Sequence, residues 1–561
     1  MLNNPIYSPL PGFVPDTFEQ QLRDKSTPPI KTFKRERKGM TFAREAMQSL
    51  SLFDQILFER FGQGEIAIPT HDCMHHAFEE YAISQPDATA VEHLGEQISY
   101  AELDRQANRL ADLLTQHGVK TGDHVALFLQ RSIPMIVGIM ATLKVGAAYV
   151  PQHVGVAPEA HLQYVLDVAQ IDVILTLSHL QEQVPAGGRV LIAVDELMQQ
   201  PFLDPATYTK PFVPETAVTK DNTCFIIFTS GTTGNPNGVQ VTHGNVANLL
   251  LTEPGNLGIQ PGMKVGQILS IAFDMAVWEI LGALAHGATL VIRGKDFMDV
   301  LRQVDVVIST PSILSSFDAD ELHNVKTVAV AGEPCPRSLA DKWSSFCNFY
   351  NSCGPTEVTI VNTAELHFPF KEILSIGKPT PNNTVYILNE DLEPCAIGEV
   401  GEMWAGGDCV SKGYIGNEEL TSERYRPDPF LGNGRFMFRT RDLGRWTETG
   451  ELEHHGRTDD QVKVRGFRVE LDSVATALES VPDCIRATAL KLDNRHLVGF
   501  VSPATVDPEA AKQAVADALP YYCTPKFVLA LDELPKTSRG KIDKRLLMKT
   551  AVEFDSALIT A

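Results

Sequence analysis

The sequence predicts an α/β fold with a large N-terminal core of mainly parallel sheets and flanking helices, followed by a small α+β C-terminal domain. Short apolar strands alternate with helical patterns along most of the chain, which implies parallel strands joined by covering helices. The chain is also large: its 561 residues, 43% hydrophobic and 21% charged, can bury an extensive core and should form several folding units.

The predicted strands are short runs of apolar residues, as expected for strands covered on both faces. Helical spacing of apolar residues between 41 and 61 predicts a packed helical lead-in that includes Phe53 and Ile56. An amphipathic helix is predicted to end at Leu114, and a helix end, a glycine turn and a strand are predicted within 141–154. The predicted strands cover residues 124–130, 171–176, 190–194, 225–228, 265–270, 289–292, 304–310 and 327–331.

Composition argues against several classes of function. The formal charge of −22 and the pI near 5.2 argue against nucleic acid as a partner, because a phosphate backbone needs a basic surface. The nine cysteines form no CxxC pair, so neither a zinc site nor a disulfide framework is predicted. We expect a reduced, cytoplasmic protein without an export signal or membrane span, since no long apolar run is present.

A glycine-rich segment follows the strand at 225–228 and predicts a phosphate-binding loop. Its hydroxyls and unhindered backbone amides suit phosphate oxygens, which only a glycine backbone can approach closely. The common GxxxxGK[ST] pattern does not fit, because the segment lacks lysine and Asn237 precedes Gly238. A flexible surface loop is the alternative. The loop residues are Thr229, Ser230, Gly231, Thr232, Thr233 and Gly234.

An isolated acidic residue, Asp274, begins an otherwise apolar stretch in FDMAVWE, residues 273–279. A buried carboxylate needs a cation or strong hydrogen-bond donors nearby, which favours a ligand-binding role. The alternative is a helix N-cap, because aspartate commonly stands just before an apolar helical run. From the residues alone, the cap is the simpler interpretation.

Three further polar motifs follow. In NSCGPTE, residues 351–357, a Gly-Pro turn places Glu357 where ligands of open α/β sheets gather, and a carboxylate there suits Mg²⁺; a simple turn is the alternative. FRTRDLGRW, residues 438–446, carries Asp442, for which a surface salt bridge with Arg445 is the alternative. SRGKIDK, residues 538–544, carries Lys541, and a solvated tail is the alternative there.

Taken together, these motifs resemble the adenylate-forming superfamily, and in particular the adenylation domains of nonribosomal peptide synthetases. TSGTTGNPNG, residues 229–238, is similar to TSGTTGxPKG, and the other motifs follow in the family's order between about Pro69 and Met548. Three places depart from the pattern: Asn237 stands where the family has lysine, Arg441 stands where it has glycine, and Gln152-His153 replace the Leu-Asp that usually follows the proline. We expect Asn237 to slow the chemistry only modestly.

The resemblance implies ATP and Mg²⁺ as cofactors and assigns a role to each motif. Glu357 would bind Mg²⁺, Asp442 the ribose hydroxyls, and Lys541 the charge that develops during catalysis. Asp459 would be the hinge. Catalytic roles fall to Thr229, Glu357 and Lys541, and ATP contacts to residues 229–234, Ser352, Cys353, Gly354, Thr356, Asp442, Arg457 and Lys541.

By the same resemblance, Asp274 would hold the α-ammonium group of an amino acid. Small residues leave volume in the side-chain pocket and no second charge lies there, which favours a large apolar, aromatic side chain. Met275 is bulkier than usual for aromatic substrates and keeps a smaller aliphatic substrate open. The implied pocket consists of Asp274, Met275, Trp278, Ser312, Ala329, Ala331, Gly332, Ser352, Ile360 and Val361.

The implied reaction joins an amino acid and Mg-ATP into an aminoacyl-adenylate, which a phosphopantetheine thiol on a carrier protein then accepts. We expect that carrier in another chain or in a part of the protein outside this sequence, since no LGGxS-like motif follows Leu547. The expected domains are a lead-in, residues 1–68, a core, residues 69–458, and a mobile C-terminal part, residues 459–561. An acyl- or aryl-CoA ligase of the same fold and a degenerate nucleotide-binding module are the alternatives.

Overall fold

The computed structural model describes residues 40–155, 157–202, 204, 206–231, 235–369, 371–536 and 542–560, with side chains to residue 556. Its strands are β1 (Thr89–His93), β2 (Glu96–Ser99), β3 (His124–Phe128), β4 (Ala148–Pro151), β5 (Val173–Thr176), β6 (Val190–Ala193), β7 (Thr223–Thr229), β8 (Asn237–Thr242), β9 (Lys264–Gln267), β10 (Thr289–Ile292), β11 (Val306–Ser309), β12 (Thr327–Val330), β13 (Asn348–Cys353), β14 (Thr363–His367), β15 (Lys378–Pro379), β16 (Asn383–Leu388), β17 (Gly401–Gly407), β18 (Tyr425–Pro427), β19 (Phe436–Trp446), β20 (Leu452–Arg457), β21 (Gln461–Val464), β22 (Phe467–Glu470), β23 (Arg486–Lys491), β24 (Leu497–Ser502) and β25 (Phe527–Ala530).

Helices connect these strands and cover their faces. The α-helices are α1 (Leu52–Phe61), α2 (Met74–Ser84), α3 (Tyr100–Gln116), α4 (Ile133–Val145), α5 (Glu159–Val168), α6 (Val194–Gln199), α7 (His243–Leu250), α8 (Met275–Leu284), α9 (Met298–Leu301), α10 (Pro311–Leu314), α11 (Arg337–Ser344), α12 (Glu418–Arg424), α13 (Leu471–Glu479), α14 (Pro508–Ala518) and α15 (Lys544–Thr560). Among the described residues, none of the helices combines the length and apolarity needed to cross a bilayer.

Two sheets form the core, and both are mainly parallel. One has the strand order β6-β5-β3-β4-β7-β8, with only β8 antiparallel to its neighbour. The other has the order β15-β14-β13-β12-β11-β9-β10-β1-β2 and is parallel from β13 to β1. The strand predicted at 225–228 is confirmed as part of β7, and the strand predicted at 289–292 is confirmed as β10. The predicted α/β architecture is therefore correct.

The turn between α4 and β4 follows the prediction and has a clear cause. Gly146 ends α4 with φ +84°, a left-handed conformation that costs glycine little. A Cβ atom there would lie 2.8 Å from Thr121 Oγ1, so a side chain would also collide with its neighbours. The glycine thus lets the helix turn directly into the central strand beside β7.

A third, antiparallel sheet has the order β16-β17-β19-β18, with β20 paired to β19. The N-terminal lead-in packs on it through Phe42 and Phe58, whose rings contact Tyr386. The expectation that Phe53 and Ile56 pack there is wrong, because they are 69% and 65% exposed. Helix α1 carries apolar residues on more than one face, and the face bearing Phe58 is the buried one.

The C-terminal part has its own small core. The β21–β22 hairpin precedes a three-stranded sheet in which β24 pairs antiparallel with β23 and parallel with β25. Val474, Leu478 and Val501 are buried in an apolar cluster whose buried members, within the described part of the chain, all lie at or after Val464. This separation is consistent with the expected boundary at Asp459, which stays a prediction.

Candidate active site

A cavity of about 1160 Å³ lies where the core meets the β21–β22 hairpin. Strands β7 and β13 end at its wall, as expected for ligand sites at the carboxyl edge of parallel sheets. The cavity wall carries several cationic side chains although the protein has a formal charge of −22. Such a wall suits an anionic ligand. Cationic residues of the wall include Arg131, Arg293, Arg337, Arg457, Lys463, Arg468 and Lys491.

The described part of the predicted phosphate loop lies in this wall. Ser230 Oγ donates a hydrogen bond to the Arg468 carbonyl at 3.0 Å, and Ser473 Oγ donates to the Gly231 carbonyl. A Cβ atom on Gly231 would stand 2.2 Å from the Asn235 carbonyl oxygen, so only glycine fits. Thr232, Thr233 and Gly234 lie outside the described residues, as does Lys541, and their roles stay predictions.

Glu357 sits one turn beyond β13 and is fully buried. The Tyr414 hydroxyl donates to its Oε1 at 2.6 Å, and Arg468 Nη1 lies 3.1 Å and 3.3 Å from its two oxygens. Burial alone would raise the pKa of Glu357, but the Arg468 and Arg424 guanidinium groups hold that pKa below its usual value. The Glu357 carboxylate is therefore ionised, lies behind the cavity wall and is paired with the Arg468 guanidinium.

Asp274 lies at the N-cap position of α8, yet its side chain accepts no capping hydrogen bond. It lies in the cavity wall, where the Thr356 hydroxyl, the Lys463 ammonium and the Met275 amide each favour its ionised form. Burial outweighs these groups and raises the pKa of Asp274 to about 6. The carboxylate is thus incompletely compensated and can still gain from a second positive charge.

Asp442 belongs to a chain of charged groups at the edge of the cavity. Arg457 Nη1 donates to its Oδ1 at 2.6 Å, and His454 Nε2 lies 3.3 Å from the same atom. Burial opposes ionisation, but His454 and Arg457 lower the pKa of Asp442. Arg457 Nε also donates to Asp459 at 2.7 Å, so one guanidinium joins the expected ribose ligand to the expected hinge.

The implied side-chain pocket divides in the structure. Four implied residues lie outside the cavity wall; for one of them, Trp278, the indole donates to the Gly255 carbonyl at 2.6 Å. Those four are Trp278, Ser312, Ala329 and Val361. Asp274, Met275, Ala331, Gly332, Ser352 and Ile360 share the wall with the implied ATP residues Thr229, Ser230, Gly231, Cys353, Gly354, Thr356, Asp442 and Arg457.

Sequence reasoning gave no role to the hairpin residues that enter the cavity. Lys463 and Arg468 lie in its wall, and the Phe467 ring contacts Phe273 at 4.7 Å and stacks on Tyr522 at 4.0 Å. The available signal was the alternation in QVKVRGFRVE, residues 461–470, which places charged and apolar side chains on opposite faces of a hairpin. That pattern shows a two-sided hairpin but not the surface it meets.

Two of the departures from the family motifs, Asn237 and Arg441, have defined surroundings in the structure. Asn237 opens β8, and its side-chain oxygen accepts a hydrogen bond from Asn417 at 3.3 Å. Arg441 adopts φ +62°, where glycine is favoured, and its guanidinium contacts Glu423 at 2.7 Å and Asp459 at 3.7 Å. Arg441 therefore combines backbone strain with ion pairs that reach the expected hinge.

Comparison with known proteins agrees with this site. The chain belongs to the AMP-binding enzyme family, whose model matches residues 78–415. It is 48% identical over 513 residues to adenylate-forming reductase 06235 of Coprinopsis cinerea, covering 91% of this chain and 49% of that protein. It is 34% identical over 483 residues to the nonribosomal peptide synthetase sirP of Leptosphaeria maculans, covering 86% of this chain and 22% of that protein.

Among solved structures, the chain is similar to holo-PA1221, an NRPS protein containing adenylation and PCP domains. The TM-score is 0.77 at 25% identity, covering 86% of this chain and 85% of that one. The predicted adenylate-forming superfamily is thereby confirmed. The chain spans about half the length of the Coprinopsis relatives that it matches, 49% in each case.

The strain at Arg441 predicts a difference between two substitutions. Arg441→Gly removes partly exposed ion pairs but relieves the left-handed backbone, so its free energy of unfolding should stay within about 1 kcal/mol of wild type. Arg441→Ala removes the same ion pairs and keeps the strain, so it should be less stable than Arg441→Gly by about 1–2 kcal/mol. Urea denaturation of both variants measures the difference. Equal stabilities would contradict the strained conformation.

Proposed function

We propose that this adenylate-forming enzyme activates an α-amino acid with Mg-ATP and transfers it to a phosphopantetheine thiol on a carrier domain. Asp274 carries the amino-acid part of the proposal: it lies in the same cavity wall as the phosphate loop, and its incompletely compensated carboxylate supports binding of a substrate ammonium there. Acyl-CoA and aryl-acid ligases have no ammonium group to bind. The carboxylate of the amino acid would attack the α-phosphorus of ATP in line and release pyrophosphate.

The residues fit Mg²⁺ through a single carboxylate. Among the described residues, no group of three or more histidine, cysteine, aspartate or glutamate side chains is arranged to hold a metal. Mg²⁺ needs no such cage, since one carboxylate, phosphate oxygens and water satisfy it. Glu357 would supply that carboxylate once Arg468 has left it. The bound ion would neutralise charge on the phosphates during transfer.

The protein's own groups would do the remaining work. The loop at 229–234 would cradle phosphates, Asp442 would accept hydrogen bonds from the ribose hydroxyls, and Lys541 would offset charge on the reacting oxygens. Cavity residues Met275, Ala331 and Ile360 give the proposed amino-acid end apolar contacts, which supports a mostly apolar side chain. All nine cysteines are free thiols, which supports the proposed cytoplasmic location.

The Coprinopsis relatives favour a particular fate for the activated acyl group. They are named adenylate-forming reductases and share 48% and 46% identity with this chain, whereas the peptide synthetase of Leptosphaeria maculans shares 34%. We therefore propose that the carrier-bound thioester is passed to a reductase active site outside this sequence, rather than used for peptide bond formation.

The proposed reaction predicts amino-acid-dependent exchange of pyrophosphate into ATP. One or a few amino acids should support exchange, and Asp274→Ala and Lys541→Ala should each lower it at least about 100-fold, because each removes a charge at the reacting groups. Acids without an amino group should be inactive. If such acids support exchange equally in wild type and Asp274→Ala, the protein is an acid ligase. Absence of exchange with every acid would favour the degenerate module.

The pKa of Asp274 predicts a pH dependence of amino-acid capture. Its pKa is about 6 in the free protein, so below that pH the carboxyl is neutral and no longer attracts the substrate's ammonium. The kcat/KM for the amino acid should therefore fall about tenfold per pH unit below pH 6. Asp274→Asn should lower kcat/KM and remove this inflection. An unchanged inflection in that variant would assign the titration to another group.

A further inference from the structure

The β21–β22 hairpin places a cation on the carboxylate expected to bind Mg²⁺. Arg468 Nη1 lies 3.1 Å from Glu357 Oε1, and the same guanidinium lies 3.3 Å from Glu470 on its own strand. Arg468 belongs to the cavity wall, whereas the fully buried Glu357 does not. In this arrangement the guanidinium therefore covers the carboxylate and separates it from the cavity.

The hairpin is held in this position by the core itself. The Gly466 amide donates to Glu333 Oε1 at 2.7 Å, and the other Glu333 oxygen accepts from the Ser312 amide at 3.0 Å. Ser230 of the phosphate loop donates to the Arg468 carbonyl at 3.0 Å. Arg468 is thus fixed by contacts on both sides of it, including the loop where phosphates would bind.

Glu357 cannot remain buried and ionised without a counter-charge. Among the described residues, the other hydrogen-bond partner of its side chain, the Tyr414 hydroxyl, is a neutral donor. The Arg424 guanidinium lowers the pKa of Glu357 without a hydrogen bond to it, since it donates to the Arg439 carbonyl. A buried carboxylate without a contacting counter-charge is strongly unfavourable. A metal ion with its phosphate ligands can compensate the same charge. However, the guanidinium already contacts both carboxylate oxygens, so a metal cannot reach them while it is there.

We propose that Arg468 and Mg²⁺ are mutually exclusive counter-charges of Glu357, so that the hairpin seats only after the metal and pyrophosphate have left. The inference rests on the proposed role of Glu357. Arg468 is then a positioning residue, because its contact with Glu357 holds the hairpin against the core only after the metal of the first reaction has left. The hairpin would be kept out while Mg-ATP is bound, and the Arg468 guanidinium would pair with the carboxylate once the metal has left.

The first test measures how much Mg²⁺ the protein needs to bind ATP, by equilibrium dialysis across a Mg²⁺ titration. Arg468→Gln removes the competing charge, so half-maximal ATP binding should require about tenfold less Mg²⁺, a change that corresponds to about 1.4 kcal/mol. Arg486→Gln is the control: Arg486 lies on β23 of the same C-terminal part and outside the cavity wall, is exposed, and its guanidinium lies 3.7 Å from Glu479. It should behave as wild type.

The second test needs no change at the ion pair. Spin-labelled unnatural amino acids at Ile83 and Ile485, both exposed, would report the distance between the core and the C-terminal part and leave the nine cysteines unlabelled. In the wild type, ATP with Mg²⁺ should lower the fraction of molecules that show the distance seen without ligand, and ATP alone should leave that fraction unchanged. In Arg468→Gln, the fraction of molecules at that distance should be lower even without Mg²⁺, and Arg468→Lys should restore part of that fraction.

The outcomes separate this inference from the proposed function. Glu357→Gln should abolish the Mg²⁺ dependence of ATP binding; if the dependence persists, the proposed role of Glu357 is wrong. If Glu357→Gln abolishes it but Arg468→Gln leaves the Mg²⁺ requirement unchanged, the exclusion is wrong and the role of Glu357 stands. A wild-type distance that is indifferent to Mg²⁺ in the presence of ATP would also overturn the exclusion.

Discussion

The buried charge of Glu357 is the constraint on which the site depends. A carboxylate with no exposed surface must be paired, and its partner here, Arg468, comes from a part of the chain 111 residues away in sequence. That one ion pair, with the Gly466 and Ser230 hydrogen bonds around it, links the core to the C-terminal hairpin. Any ligand that takes over the carboxylate must displace the Arg468 guanidinium from it.

Two carboxylates in the cavity wall differ in how far neighbouring cations compensate their charge. Asp274 and Asp442 lie in one wall, but burial raises the pKa of Asp274, whereas His454 and Arg457 lower that of Asp442. These opposite shifts suit the roles proposed for the two carboxylates, with a cationic group at Asp274 and hydroxyl groups at Asp442. Such a division suits a site that must hold a nucleotide and a charged small molecule together.

Local patterns predicted what local physics determines. The apolar runs that become β7 and β10 and the left-handed glycine at 146 depend on neighbouring residues, and motif resemblance located Asp274 and Glu357. The pairing of Arg468 with Glu357 depends on how two distant segments meet, and no periodicity encodes that. The same limit explains Phe53, whose exposure reflects which face of α1 meets the antiparallel sheet.

The most direct test of this account is a crystal structure of the protein with Mg²⁺ and a non-hydrolysable ATP analogue. The account predicts a metal ion about 2.0–2.1 Å from a Glu357 oxygen, with Arg468 withdrawn from the carboxylate and the hairpin displaced from Ser230. A structure in which the analogue and metal are bound while Arg468 still contacts Glu357 would contradict it, because the carboxylate would then have no part in holding the metal.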